Sequence, residues 1–281
     1  MTEEQGLEIK DLFSVRGKNV LCSGGGRGIG RMITEGYIEN GANVYIFSRD
    51  GKSCAQTAEE INKKTEGKAG KGKCIALESV DLSKGKQACD QVVQCLVSVH
   101  RLSQLHVLVN NSGVAWGEPL ESYSEKGFDK VFAVNVKSLF YLTVACLPLL
   151  RAAATPNNPS RVINIGSIAG IQPQSFVTFA YDASKAAVHH LTRSLANALS
   201  SDFITVNAIA PGLFLTKMGS QVKTYETEDN ILKTIPLRRF GQPPDMAGVA
   251  LWLSSPAGSW VSGIIVPVEG GQLLPGLASK L

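Results

Sequence analysis

Short apolar runs at 19–23, 43–47, 73–80, 107–109, 161–165, 204–209 and 264–268 alternate with longer amphipathic stretches at 28–40, 51–64, 84–100, 124–151, 180–200 and 244–254. This alternation constrains the fold more than any other feature of the chain. A strand followed by a helix that leads back to a parallel neighbour builds a doubly wound sheet with helices on both faces. The expectation is an α/β fold: one seven-stranded parallel sheet flanked by helices, with residues 1–281 as a single domain. The first, fourth and fifth runs have little polar alternation, as strands buried on both faces require, so they belong at the sheet centre. Two prolines and two asparagines within 155–159 predict a loop.

With 44% hydrophobic and 19% charged residues, the chain can bury a substantial core, and its net charge of +4 is mild. Much of the excess sits in Lys63, Lys64, Lys68, Lys71 and Lys73, interleaved with Gly67, Gly70 and Gly72, which reads as a solvated loop. The stretch has neither stacking aromatics nor a reader motif, so no nucleic-acid partner is expected. The cysteines, Cys22, Cys54, Cys74, Cys89, Cys95 and Cys146, form no C-x-x-C pair and no metal-ligand spacing, so no metal is expected. Residues 1–10 are acidic and lack the apolar core of a secretory signal, and no apolar run reads as long enough to span a bilayer. A cytoplasmic location is the default, and the terminal Ser279-Lys280-Leu281 has the form of a peroxisomal address.

Directly after the first run comes Ser23-Gly24-Gly25-Gly26-Arg27-Gly28-Ile29-Gly30, opening a helix. Free N–H groups and the positive helix end then meet at one point, a seat for a pyrophosphate. The glycine spacing Gly24, Gly28, Gly30 departs from the G-x-G-x-x-G fingerprint. The second run ends at Ser48-Arg49, where a carboxylate would bind a ribose 2′-hydroxyl and an arginine a 2′-phosphate. Arg49, with Arg27 from the glycine turn, therefore points to NADP(H). Asp50 follows immediately and is the alternative reader.

Tyr181 and Lys185 share one helix face at i and i+4, with Ser167 upstream. A cation beneath a phenol is expected to lower its pKa toward working pH, which suits a general acid/base for a carbonyl/alcohol pair. Ser167 would donate to the substrate oxygen, Tyr181 would supply the proton and a nicotinamide the hydride.

The glycine turn, Asp81-Leu82, Asn110-Asn111-Ser112-Gly113, Asn135, Ser167, Tyr181-Asp182-Ala183-Ser184-Lys185, Pro211-Gly212 and Val268-Glu269-Gly270-Gly271 resemble, in order and spacing, the single-domain short-chain dehydrogenases/reductases over about 12–274. The stretches Ser112–Gly117, Leu120–Tyr123 and Arg161–Gly170 look similar to NADPH-dependent 3-oxoacyl reductases of the rhamnolipid-type β-ketoacyl reductase group. The resemblance implies a Rossmann-like fold and a ketoreductase. It implies that Asp81 and Leu82 hold the adenine, that Asn110 and Gly113 line the adenosine ribose side, and that Pro211, Gly212, Leu213, Phe214 and Thr216 meet the nicotinamide carboxamide and phosphates. Lys185 would also bind the nicotinamide ribose beside Tyr181, and Asn135 would hold a water linking Lys185 to solvent. Asp81 could instead cap the next helix, and the Asn-Asn turn could only stabilise a strand end. The resemblance also implies a homotetramer, with a homodimer as the alternative, built through helices matching 124–151 and 180–200. Ser23, Ser112 and Glu269 depart from the usual threonine, alanine and aspartate without removing a reacting group.

Residues 213–242 are expected to form a substrate lid, with Phe214, Met218, Tyr225 and Ile231 joining Trp116 and Phe176 in an apolar pocket; a plain packed loop is the alternative. His189 and His190 read as helix-surface or interface residues. The expected substrate is a 3-oxoacyl or polyketide-like ketone, with aromatic polyketides, steroids, sugars or other secondary alcohols as the alternative. A non-catalytic NADP-binding sensor or assembly protein is the reading from another class.

Overall fold

The computed structural model describes residues 6–174, 176–216 and 227–274. Its strands are β1 (Asn19–Ser23), β2 (Asn43–Phe47), β3 (Cys74–Ala76), β4 (Val107–Asn110), β5 (Ser160–Ile165), β6 (Ile204–Pro211) and β7 (Ile265–Val268). They form one seven-stranded sheet in the order β3-β2-β1-β4-β5-β6-β7, every pair parallel. β1, β4 and β5 are the three central strands, as their unbroken apolar character predicts.

Alternation along the strands divides the core into two layers. Val20 and Cys22 of β1 face one layer with Ile33, Tyr37, Ile61, Met246 and Leu253. These come from α2 (Gly28–Glu39), α3 (Gly51–Thr65) and α9 (Pro243–Ser254). Leu21 of β1 faces the other layer with Val92, Leu142, Leu150 and Leu195, from α4 (Lys86–Ser98), α6 (Ser138–Ala153) and α7 (Phe179–Leu199). The short helices α1 (Ile9–Leu12) and α8 (Glu228–Lys233) were not anticipated.

Two expectations need correction. The run expected at 73–80 pairs as a strand only over β3, which bonds to β2 and is the edge strand of the sheet among the described residues. Beyond Ala76 the chain keeps single bonds to the edge, Leu77 N–H to Ile46 at 2.8 Å and Val80 N–H to Ser48 at 3.1 Å. The helix expected at 124–151 is interrupted: α5 (Glu125–Phe132) passes through a π-helical turn, Ala133–Lys137, into α6. Such turns commonly mark functional positions, and this one carries Asn135.

By length and composition the continuous helix Glu125–Ala153 is long and apolar enough to cross a membrane, contrary to the sequence reading. Here its length serves the sheet: α6 packs on β4, β5 and α4, and α5 on α7. The glycine turn, Asn111–Gly113, Ser167 and Gly212 follow the carboxyl ends of β1, β4, β5 and β6, the edge at which open α/β sheets place their ligands.

Candidate active site

The glycine turn is shaped by conformation and by close approach. Gly24 and Gly28 have φ of +68° and +54°, a region disfavoured for side-chain-bearing residues. A side chain at Gly30 would collide with the Gly24 carbonyl and Asn111 Nδ2, so the turn can close on α2 only with glycine there. α2 begins with no side-chain cap, which leaves its first N–H groups directed at the turn. Gly26 lies against Cys54, and its carbonyl accepts from Thr57 Oγ1 at 2.8 Å; Ile29 packs on the core layer below.

The sequence reading assigned no role to Ser23 and Asn111 at this site, and both hold it together. Ser23 Oγ accepts the N–H groups of Asn111 and Ser112 at 3.0 and 2.9 Å, while Asn111 Nδ2 donates to the carbonyls of Ser23 and Gly24 at 2.9 and 3.1 Å. This ties β4 to the glycine turn. Ser112 packs its hydroxyl against Gly24.

At the end of β2, Ser48 Oγ donates to the Asp50 carbonyl at 2.9 Å. Asp50 is committed elsewhere: its carboxylate accepts from Ser53 N–H at 3.1 Å and caps α3. Arg27 and Arg49 are exposed and have no ion pair among the described residues. Against the cost of desolvation, hydrogen bonds from Ser83 hold the Asp81 carboxyl below its usual range, with smaller help from the charges of Arg49 and Lys84. An uncapped helix end, a glycine turn and two uncommitted guanidiniums fit a dinucleotide carrying a 2′-phosphate.

Three residues expected at the adenosine side are engaged differently. Asp81 caps the turn Leu82–Lys84, accepting from Ser83 N–H at 3.0 Å and Ser83 Oγ at 2.7 Å. Leu82 is buried in the core and offers only its main chain. Asn110 turns inward: its Nδ2 donates to Thr143 Oγ1 at 3.0 Å and Asn164 Oδ1 at 2.9 Å, linking β4, β5 and α6. Its side chain therefore lines no ribose. Gly113 lies at the chemistry instead, where an added Cβ would stand 3.4 Å from Asn135 Oδ1 and 3.7 Å from Lys185 Nζ.

Ser167, Tyr181 and Lys185 come together at the ends of β5 and α7. Ser167 Oγ accepts from Ala169 N–H at 3.1 Å and faces the Tyr181 phenol. Gly170 lets this turn press on α7, since a Cβ there would lie 2.5 Å from the Lys185 carbonyl carbon. Lys185 is buried, with Nζ 5.5 Å from the centre of the Tyr181 ring and donating to the Ile165 carbonyl at 2.7 Å. Asn135 is fully engaged: Oδ1 accepts from Val114 N–H at 2.9 Å, and Nδ2 donates to the Val114 carbonyl at 3.0 Å and Ser184 Oγ at 2.9 Å. Ser184 in turn donates to the Tyr181 carbonyl at 2.7 Å. A water held by Asn135 would thus have to use its main chain.

The protonation states correct the expectation drawn from spacing. Burial raises the Tyr181 phenol above its ordinary value, with Ser167 opposing and Asp182 adding to the rise. Lys185 is not among the groups that oppose the rise, and burial pushes its own value down to about 8, so that it keeps its charge only below that. The phenol is therefore held as an acid.

Beyond β6, Gly212 N–H donates to the Val268 carbonyl at 2.9 Å, and Leu213 N–H to Gln272 Oε1 at 3.3 Å, which seats Pro211 and Gly212 against the end of β7. Thr216 reaches back over Gly28, whose added Cβ would lie 3.4 Å from the threonine. Phe214 is a correction: it is buried in the core against Gly241, with only its main chain free for a ligand. Ile231 is buried as well, and Trp116 packs on Gly127 beneath Lys130, so these are packed residues rather than an open pocket wall. Phe176 is exposed; Met218 and Tyr225 lie outside the described residues. A cavity of about 200 Å³ between Leu213, Leu237, Arg239 and Glu269 contains none of the catalytic trio. His190 is exposed, but His189 is buried, contrary to the surface reading.

The family model described as enoyl-(acyl carrier protein) reductase matches residues 24–272. A Pseudomonas aeruginosa protein named rhamnolipids biosynthesis 3-oxoacyl-(acyl-carrier-protein) reductase is 40% identical over 263 residues, 92% of this chain and 97% of its own. The short-chain dehydrogenase/reductase PhomF of Diaporthe leptostromiformis is 34% identical over 289 residues, covering 95% of each. The solved Pseudomonas aeruginosa RhlG/NADP active-site complex aligns with a TM-score of 0.85 at 40% identity, over 93% of this chain and 98% of that one. Similarity on this scale covers the glycine turn, the trio and the strands that carry both, and the chain belongs to the short-chain dehydrogenase/reductase family of oxidoreductases.

Proposed function

We propose that the protein is an NADP(H)-dependent carbonyl reductase acting on 3-oxoacyl or polyketide-like ketones. One observation carries this reading: the Ser167 hydroxyl and the Tyr181 phenol face each other beside a buried Lys185. NADPH, when bound, supplies the hydride. A substrate carbonyl oxygen between the two hydroxyls accepts a hydrogen bond from Ser167, which stabilises the negative charge that develops there. As the carbon is reduced, the Tyr181 O–H bond breaks and its proton passes to that oxygen, giving the alcohol and a phenolate. Lys185 stands close enough to stabilise the phenolate and to lead a replacement proton toward Asn135. The glycine turn and the α2 N-terminus would hold the pyrophosphate, and Arg27 and Arg49 the 2′-phosphate. The relative with 3-oxoacyl reductase in its name supports the substrate class.

Within this reading the chain is a single domain, and the lid expected over 213–242 falls partly on residues 217–226, which lie outside the described residues. Phe140 and Val144, exposed on α6, support association into a homotetramer. The location is cytoplasmic; Ser279-Lys280-Leu281 lies outside the described residues. The central experiment follows loss of NADPH with 3-oxoacyl thioesters, 2-enoyl thioesters and steroid, sugar and quinone-like ketones. Turnover of the 3-oxoacyl thioesters, abolished by Tyr181→Phe, is expected. Preference for the enoyl thioesters, or equal rates in the two proteins, would overturn the assignment.

A further inference from the structure

His189 stands one helical turn beyond Lys185 and two beyond Tyr181, on the same face of α7. It is 5% exposed, a histidine closed off beneath the catalytic residues. Its ring lies directly under the turn that carries Ser167: a side chain at Gly166 would overlap Nε2 and come within 2.7 Å of Cδ2. At the other end of that turn, the ring has a favourable contact with the Gly170 main chain. Nε2 is buried with no hydrogen-bond partner. The Gly166 N–H donates to the Ile209 carbonyl at 2.7 Å, which anchors the start of the turn to β6. Ser167 is thus gripped between β6 and this one ring.

Burial pushes the imidazole down to about 4, and the charges of Lys185 and Arg193 act in the same direction. The ring is therefore neutral at working pH, and it donates one proton, toward Gly170. A neutral flat ring supports the turn without adding a second charge beside Lys185. An apolar branched side chain could fill the space but could not make the bond.

We propose that His189 is a positioning residue, which wedges under the Ser167 turn and sets where the serine hydroxyl stands relative to Tyr181. The inference rests on the reductase reading. Displacing a polar group at a reacting centre by about 1 Å can cost on the order of 100-fold in rate, so the effect should appear in kcat rather than in cofactor binding.

The test is a double-mutant cycle on the full-length protein, with His189→Leu and His189→Asn each made in the wild-type and Ser167→Ala backgrounds. His189→Leu is expected to lower kcat for the ketone by roughly 10- to 100-fold with the Kd for NADPH unchanged. In Ser167→Ala it should cost less than about twofold more, because the group it positions is already gone. His189→Asn keeps a donor toward Gly170 and should recover much of the rate. Equal losses in both backgrounds, a matching loss of NADPH binding, or wild-type kcat in His189→Leu would overturn the proposal. If the leucine variant does not fold, asparagine and glutamine carry the cycle: asparagine should be faster, and the opposite order overturns the idea. A wild-type protein inactive on ketones, or one indifferent to Tyr181→Phe, would instead sink the reductase reading.

Discussion

At the ends of β5 and α7, Ser167 and Lys185 are buried beside Tyr181, and both titrating groups are displaced by burial. At the ends of β1 and β2, Arg27 and Arg49 are exposed and form no ion pair among the described residues. The first region must hold a proton on a chosen atom, and desolvation does this by penalising whichever form is charged. The second must recognise an anion arriving from water, and burying a guanidinium there without a permanent partner would carry a desolvation cost. Burial therefore suits chemistry and exposure suits selection.

The comparison breaks most sharply at Tyr181. Removing its hydroxyl with Tyr181→Phe should reduce ketone turnover by about 10²- to 10⁴-fold while the Kd for NADPH stays put, as titration calorimetry would show. A parallel fall in affinity would mean that the phenol belongs to binding. Next in size, Arg49→Ala should weaken NADPH by roughly 10- to 100-fold, the worth of a charge-assisted hydrogen bond of about 1.5–3 kcal/mol. NADH binding should be unchanged, and a uniform loss of both cofactors would disprove a 2′-phosphate contact. Because this region is exposed, its preference for NADPH should also shrink as salt rises.

The buried region predicts a pH effect. With Lys185 near 8 and the Tyr181 phenol above its ordinary value, kcat/KM for NADPH in the reduction should be level below about 8. It should fall above, as the ammonium loses its proton while the phenol keeps its own. Stability should not fall with it. Between the folded value of about 8 and the ordinary 10.5, the unfolded chain binds the extra proton, so this group's contribution to stability grows with pH. A thermal melt that tracks the activity loss would contradict the assignment. The smallest expected effect belongs to Asp50→Ala, which removes the α3 cap and should cost about 1 kcal/mol of stability. The NADPH-to-NADH preference should be untouched; a selective loss of NADH would make Asp50 the ribose reader after all.

Much of this was legible in the order of residues. The apolar character of 19–23, 107–109 and 161–165 placed β1, β4 and β5 at the sheet centre, and the glycine turn and the Tyr181–Lys185 spacing stand where local rules put them. Several of the misreadings fall at the ends of elements. Asn110 closes a strand and could have pointed to either face; contact with Thr143 and Asn164 turned it inward. Leu82 and Phe214 follow strands at the ligand edge, yet both side chains fill the core. Asp50 was a candidate reader until α3 claimed its carboxylate.

The sequence by itself determined the parallel sheet, the edge on which ligands gather and the residue types that meet there, because periodicity and backbone restrictions act over a few neighbouring positions. Only the tertiary structure decided which way the Tyr181 proton is biased and what lies beneath Ser167. Desolvation and hydrogen bonding are set by everything that surrounds an atom, and at Tyr181 and His189 those surroundings include groups distant in the chain, Ser167 beside the one and Gly166 above the other.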